Sequence, residues 1–450
     1  VVLLWLARFS GGADAGNGGK RPSMKNFLTI CLCLVAAATT LGSVRAADSA
    51  TASFVWDTAA WFKGNTHTHS LWSDGNDFPE MIVEWYREHG YDFIALSDHN
   101  ILATTEKWMD LEAIAKRQRA IGRGAMDKYR SRYEGKNWIE TREAAGGETE
   151  VRLKRISEYR PLFEKPGEFL IVQAEEISSS SDQGKPIHIN AINLPGEEFI
   201  PGLKKESGLS GEETMREVYR RVAEREKTTG TPILAHLNHP NFGWALTAAE
   251  LARVAEGRFF EVYNGHPGIN HLGDETRPGD ERNWDIANTM RLAELDSPIL
   301  YGVATDDSHT YHGGDVTPGR GWVQVGSDKL EGDALILAMK AGRFYSSSGV
   351  TLGRIAWDAA KRTLTVKVSA VSGETYRIAF IGSRKTYDAA KPAAESGIGV
   401  LFSENEGTEA SFTMPADALY LRATITSSAA HVNPSYPGQK KQAWVQPVGW

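Results

Sequence analysis

Cysteine is nearly missing from this sequence. Two occur among 450 residues, Cys31 and Cys33, and both sit in one uncharged apolar run. Beyond that run a disulfide framework and thiolate metal ligands are excluded, so any metal must be held by His, Asp or Glu. The run itself, residues 27–43, is shorter than the roughly 20 residues of a membrane-spanning helix. Positive charge is in deficit: 50 Lys and Arg face 57 Asp and Glu, a net charge of −7. Binding nucleic acid through its phosphates needs a basic footprint, which this balance does not supply. Internal repeats, low-complexity tracts, a P-loop and a Ser-His-Asp nucleophile motif are also lacking.

What is there begins with an export pattern. Met24-Lys25-Asn26 gives a positive start, the apolar run follows, and Val44-Arg45-Ala46 places small residues for cleavage before Ala47. That is the pattern of a secretory signal peptide over residues 24–46, with residues 1–23 lying upstream of it. The mature chain is then expected to be exported, periplasmic or extracellular, without stable membrane insertion. Its net charge becomes −11, because residues 1–46 hold five basic residues and one acid.

Residues 61–345 alternate short apolar runs with helical stretches, which implies an α/β fold with a mostly parallel sheet or barrel. Asp77-Phe78-Pro79-Glu80 reads as a helix start with Asp77 as N-cap. Residues 102–166 interrupt the alternation. They are charged and largely helical in composition, and an insertion of that length suggests a lid. After Gly349 short strands separated by turn residues predict a small all-β, sandwich-like domain over residues 349–450. The metal-binding domain would then occupy residues 47–348.

The strand ends carry a recurring class of residue. His67-Thr68-His69 places two imidazoles on one face of a strand, and Asp74-Gly75 follows in a turn. Asp98-His99 ends the next strand. Glu175-Glu176, His188, His236 with His239, and Asp306-Asp307-Ser308-His309 end the others. In α/β folds such ends converge on one face. The donors exceed what one tetrahedral ion needs, so two or three divalent ions are expected: zinc, manganese or iron.

His67-Thr68-His69 with Ser73-Asp74-Gly75, then Ser97-Asp98-His99, Glu176-Ile177-Ser178, His239-Pro240 and Asp307-Ser308-His309 resemble the polymerase-and-histidinol-phosphatase (PHP) superfamily, in the family's order. The resemblance covers residues 61–348 and implies a distorted (β/α)₇ barrel. It implies that His67, His69, Glu176 and Asp307 hold one metal. His99 and His239 would complete a second with Glu176 bridging, and Asp74, His188 and His309 would fill the remaining positions. Three choices stay open: Glu175 or Glu176, His236 or His239, Asp306 or Asp307. Residues 261–265 and 342–345 are similar to a secreted, two-domain branch that also contains carbamate and amide hydrolases.

The chemistry this implies is hydrolysis of a phosphate ester on a small anionic substrate by metal-bound hydroxide. The alternatives are a carbamate, amide or ester hydrolase on the same site, and a metal-containing binding protein. Asp98 is expected to orient a ligand imidazole, and His309 to serve both metal and catalysis. Arg320 is placed to hold a substrate phosphate. His266, and with it His271 and His312, follow strand ends where substrate would lie. Arg152, Lys154 and Arg155 form a basic run that a closing lid would bring over the metals.

Overall fold

The computed structural model describes residues 52–117 and 124–450. The expected signal peptide and both cysteines lie outside the described residues. Among the described residues no helix is long and apolar enough to cross a membrane.

Strand β1 (Phe54–Asp57) precedes β2 (Phe62–Asn65), helix α1 (Pro79–Glu88) and β3 (Phe93–Leu96). The insertion supplies β4 (Lys107–Asp110), α2 (Leu111–Arg117), α3 (Ala125–Arg132), β5 (Thr141–Glu143), β6 (Thr149–Leu153) and α4 (Ile156–Phe163). Next come β7 (Leu170–Ser180), β8 (Pro186–Ile192), α5 (Gly211–Thr229), β9 (Leu234–Leu237), α6 (Ala248–Arg253), β10 (Phe259–Asn264), α7 (Asp280–Ala293) and β11 (Tyr301–Thr305). The chain continues through β12 (Trp322–Val325), α8 (Gly332–Lys340), β13 (Phe344–Ser347), β14 (Leu352–Asp358), β15 (Thr363–Val368) and β16 (Tyr376–Gly382). It ends with β17 (Val400–Glu406), β18 (Glu409–Thr413), β19 (Leu421–Ala430) and β20 (Lys440–Val448).

One sheet runs β11-β10-β9-β8-β7-β3-β2-β12-β13-β20-β19-β16-β17. Pairs β2–β3, β3–β7, β9–β10 and β10–β11 are parallel, while β8 runs antiparallel to both neighbours. The expected (β/α)₇ barrel is therefore a mixed α/β sheet without a closing ladder, because the free edge of β2 pairs with β12. The chain segments that follow β2 and β11, the two outer strands of the arc β11-β10-β9-β8-β7-β3-β2, do meet. Thr68 bridges Ser308 in parallel, His69 N donates to Ser308 O at 3.0 Å, and Asp307 N donates to His67 O at 2.9 Å. That rim carries the candidate ligands.

Local chemistry explains the element ends. Ser210 and Glu213 form a reciprocal capping box at the start of α5, and Gly230 at φ 73° stops it. Helix α1 departs from expectation: its N-cap is Phe78, whose side chain cannot cap, with Pro79 in the first turn. Asp77 instead accepts from Lys128 at 3.0 Å and sits 3.1 Å from His312.

Among its described residues the insertion is mixed, with the three helices α2, α3 and α4 beside three strands. Its strands form the sheet β4-β6-β5, and the basic run lies on and just after β6, where Val151 and Leu153 are fully buried. Residues after 349 build strands in two sheets, the end of the large one and β1-β14-β15-β18. Ile355, Trp357 and Val366 from the smaller sheet pack with Ile378, Phe380 and Ile425 from the larger in one buried cluster, as in a sandwich. Strand β1 joins this sandwich from before the metal-binding region, and β13 pairs with β20.

Candidate metal centre

The site is built where chain leaves strands. Asn65 Oδ1 accepts from His67 N at 2.9 Å as the chain departs β2. The following turn is tied to Asp98 after β3. Asp98 Oδ1 accepts from Ser70 N at 2.8 Å and Ser73 N at 3.0 Å, and its Oδ2 from Ser70 Oγ at 2.7 Å. Gly75 is required for space: a Cβ there would sit 2.5 Å from His69 O. β8 contributes because it is antiparallel, which puts its N-terminal end, with His188 opposite Ser178, at the same rim. His239 and Asp307 adopt positive φ of 26° and 48°, backbone that non-glycine residues hold only when their surroundings impose it.

Nine candidate ligands come together here. They form four groups: His67, His69 and Asp307; His67, Glu176 and His239; His99, Glu176 and His188; and His69, Asp74, His99 and His309. His67 Nε2 lies 3.2 Å from Asp307 Oδ1 and 3.5 Å from Glu176 Oε1. His69 Nε2 is 3.1 Å from Asp307 Oδ1 and 3.4 Å from Glu176 Oε2. Glu176 Oε1 also faces His188 Nδ1 at 3.0 Å and His239 Nε2 at 3.4 Å, and its Oε2 faces His99 Nδ1 at 2.7 Å. Asp74, half exposed, stands 3.4 Å from His309 Nε2 and 3.6 Å from His99 Nε2. His99 and His239, expected on one ion, fall in different groups. The cause is topological, since β7 and β8 lie between the strands they follow.

The open choices separate by direction. Glu175 and Glu176 alternate across β7. Glu175 turns into the core, where Ile200 N donates to it at 2.6 Å and burial pushes its carboxyl up to about 8. His236 is wholly buried outside the four groups. Asp306 accepts from Tyr86 Oη at 2.6 Å and from the backbone N–H groups of Gly319, Arg320 and Gly321. Glu176, His239 and Asp307 are the members that face the rim.

Other expectations are corrected. Asp98 orients no imidazole; its acceptors are filled by the Ser70–Ser73 turn. Arg320 is buried and donates to Gly265 O at 2.9 Å, to Asp315 O and to Asn433 Oδ1, so its guanidinium holds loops rather than a phosphate. Arg152 pairs with Glu140 and Glu158, and Lys154 with Glu140, all within the insertion. Neither is paired with a candidate ligand. His271 bonds Asp280 at 2.9 Å and His312 faces Asp77. His266 is at the rim, its ring 5.8 Å from that of His309.

Imidazoles are oriented by groups the sequence did not mark as partners. Glu261 Oε1 accepts from His67 Nδ1 at 2.6 Å, while its Oε2 accepts from His239 N at 2.7 Å and Asn264 Nδ2 at 2.8 Å. One carboxylate thus fixes candidate ligands from two strands. Ser178 Oγ holds His99 Nδ1 at 2.6 Å, and His309 Nδ1 donates to Asp307 O at 2.8 Å. Asn238 donates to Glu176 at 2.8 Å and Asn264 to Asp307 at 3.1 Å. The available signal for Glu261 was a single carboxylate in the otherwise uncharged strand Phe-Phe-Glu-Val-Tyr-Asn. Two further basic side chains tie the insertion to the site: Arg117 donates to Ser73 O and to Gly75 O at 3.3 Å, and Lys107 to Trp72 O.

Electrostatics follow from this crowding. Burial alone would raise Glu176 and Asp307. The facing imidazoles, His99, His188 and His67 for one and His67, His69 and His309 for the other, hold both well below the usual carboxylate range. Burial opposes charge on His67, but Asp307, Glu261 and Glu176 lift it well above its ordinary value. His69 moves the other way, down to about 4, through burial and the neighbouring His309 and His99.

These residues fit divalent metal. His67 Nδ1 donates to Glu261, so in the neutral ring Nε2 offers its lone pair to a metal, and that buried atom has no hydrogen-bond partner although two carboxylates face it. Imidazole nitrogens and carboxylate oxygens are the donors of zinc, manganese and iron sites.

No family model and no curated protein matches this chain. Among solved structures it is similar to a Bacteroides vulgatus two-domain protein containing a predicted PHP-like metal-dependent phosphoesterase. The two share 13% identity over 88% of this chain and 98% of the other, with a TM-score of 0.38. It is also similar to PsfC from Pseudomonas syringae, at 11% identity over 62% of this chain and 87% of that one, TM-score 0.31. At this degree of likeness nothing about activity transfers, and the chemistry is carried by the side chains themselves.

Proposed function

We propose that this protein is a PHP-type metal-dependent hydrolase that acts on phosphate esters, exported and holding two or three divalent ions. The observation that carries the reading is the convergence of nine imidazole and carboxylate side chains at one rim, Glu176 and Asp307 among them, with His67 Nε2 unbonded between those two carboxylates. His67, His69, Glu176 and Asp307 would hold metal at the floor of the site. His188 and His239 would add to Glu176 on one side, and Asp74, His99 and His309 form the outer group. When bound, divalent ions activate water and offset charge on the oxygens of a phosphoryl group.

The chain's own contribution is placement. Glu261 sets the His67 tautomer and pins His239, the kind of support that ligand imidazoles rely on. Asp98 and Arg117 hold the turn that carries Asp74. His266 Nδ1 accepts from Gly268 N at 2.9 Å, so the neutral ring carries its proton on Nε2, available to an ester or phosphoryl oxygen at the rim.

Purified chain reconstituted in turn with zinc, manganese and iron should release phosphate from a phosphomonoester, or an alcohol and a monoester from a phosphodiester, and lose that activity on chelation. Hydrolysis of a carboxyl ester or carbamate with no phosphate release would move the reading to another class of hydrolase. Metal binding with no hydrolysis would leave a binding protein.

A further inference from the structure

The rim of the metal centre has two unlike sides. On one stand the half-exposed carboxylate Asp74 with His99 and His309. On the other stands Phe242, 39% exposed, in the short helical turn after His239-Pro240. Its ring lies 5.4 Å from that of His239 at 68° and 6.2 Å from that of His266 at 67°. A large apolar ring left open beside polar donors costs hydration free energy unless something covers it. This one is held in place. Gly243 and Trp244 both take positive φ, 55° and 53°, and for a residue as bulky as tryptophan that backbone is strained. Lys185 Nζ donates to both of their carbonyls, at 3.2 and 3.4 Å, and Arg277 lies 3.9 Å over the Trp244 ring. Gly268 backs the pair so closely that a Cβ would meet His266 at 3.0 Å and Phe242 at 3.6 Å.

We infer that Phe242 and His266 form a leaving-group subsite that takes a planar, uncharged aromatic group attached to the phosphoryl oxygen. This rests on the phosphoesterase reading and adds to it the substrate class. Phe242 offers a ring face for stacking, and His266 Nε2–H offers a donor to the ester oxygen. A second anionic group on the substrate finds no welcome on this side: Lys185 is committed to carbonyls, and Arg277 to Asp274 and the Trp244 face. Hydrolysis breaks the bond from phosphorus to the ester oxygen, transfers the water oxygen to phosphorus, and leaves the aromatic alcohol with a proton from that water.

The test uses benzyl phosphate and methyl phosphate, whose leaving alcohols are of similar acidity, with the metal-reconstituted full chain. The ratio of kcat/KM for benzyl over methyl should be about tenfold or more in the wild type, the scale of one stacked, buried ring. It should fall toward one in Phe242→Ala and fall in Phe242→Leu, which keeps apolar bulk in the loop and so guards against loss of fold. Phe242→Tyr should keep it. A wild-type ratio near one, or a ratio unchanged in Phe242→Ala and Phe242→Leu, overturns the subsite while phosphate release stands. Absence of phosphate release from both esters overturns the subsite, and absence of phosphodiester hydrolysis as well overturns the phosphoesterase reading with it.

Discussion

Two of the places where this molecule gathers charged side chains out of water are built oppositely. In the insertion, Arg152 and Lys154 are buried against Glu140 and Glu158, cation to carboxylate, with Arg152 donating to both acids. Both of these cations have an acid within hydrogen-bond reach. At the rim, imidazoles and carboxylates crowd Glu176 and Asp307, and His67 Nε2 is left without a hydrogen bond. The first arrangement is complete as it stands. The second brings imidazole nitrogens and carboxylate oxygens onto common points, where protons balance the charge in the metal-free chain and a bound cation can replace them. Charge that is balanced within itself reads as scaffold; donor atoms aimed at a common point read as a binding site.

The comparison is broken most directly by removing a donor. His67→Ala or Asp307→Ala should abolish turnover and reduce bound metal while the circular dichroism of the folded chain persists. Near wild-type kcat with full metal content in either variant would mean that the position is not a ligand. Glu261→Gln keeps the shape but removes the charge that orients His67. A loss of about 10–100-fold in metal affinity or activity is expected, measured by competition with a chelator. An unchanged affinity would show that His67 needs no such support.

The pH dependence has a worked sign. The carboxylates raise His67, His99, His239 and His309, in each case against burial. Below those raised values the metal-free imidazoles hold protons that a metal must displace. Metal affinity should therefore climb as pH rises through neutrality, with proton release visible by calorimetry in buffers of different ionisation enthalpy. Affinity that is flat from about pH 6 to 8 would contradict it.

The smallest effect belongs to the insertion. Arg152→Met with Lys154→Met should leave KM for any phosphate ester within about twofold and lower stability by about 1 kcal/mol, because Glu140 and Glu158 are partly exposed and water can take over from the lost partners. A large rise in KM would return those cations to the substrate.

The sequence made the donors legible as a group because strand ends converge, and His67-Thr68-His69 and Asp307-Ser308-His309 sit where strands stop. It could not choose Glu176 over Glu175, since one residue of register decides which face of β7 meets the rim. Nor could it separate Asp307 from Asp306, whose acceptors are filled by Tyr86 and by backbone fourteen residues on. The basic run misled because its partners, Glu140 and Glu158, lie on either side of it in sequence and close on it only when β6 folds. The same limit hid Arg117 and Lys107, which touch only carbonyls of the Trp72–Gly75 turn. The mixed sheet was hidden as well: an antiparallel β8 has the same composition as a parallel one.

The central claim is that the rim is a multinuclear metal centre. Elemental analysis of the chain, after reconstitution with zinc, manganese and iron in turn and removal of loose metal, measures it directly. The account predicts two or three equivalents per chain for at least one of these metals, falling in His67→Ala. One equivalent or none with all three metals would contradict it.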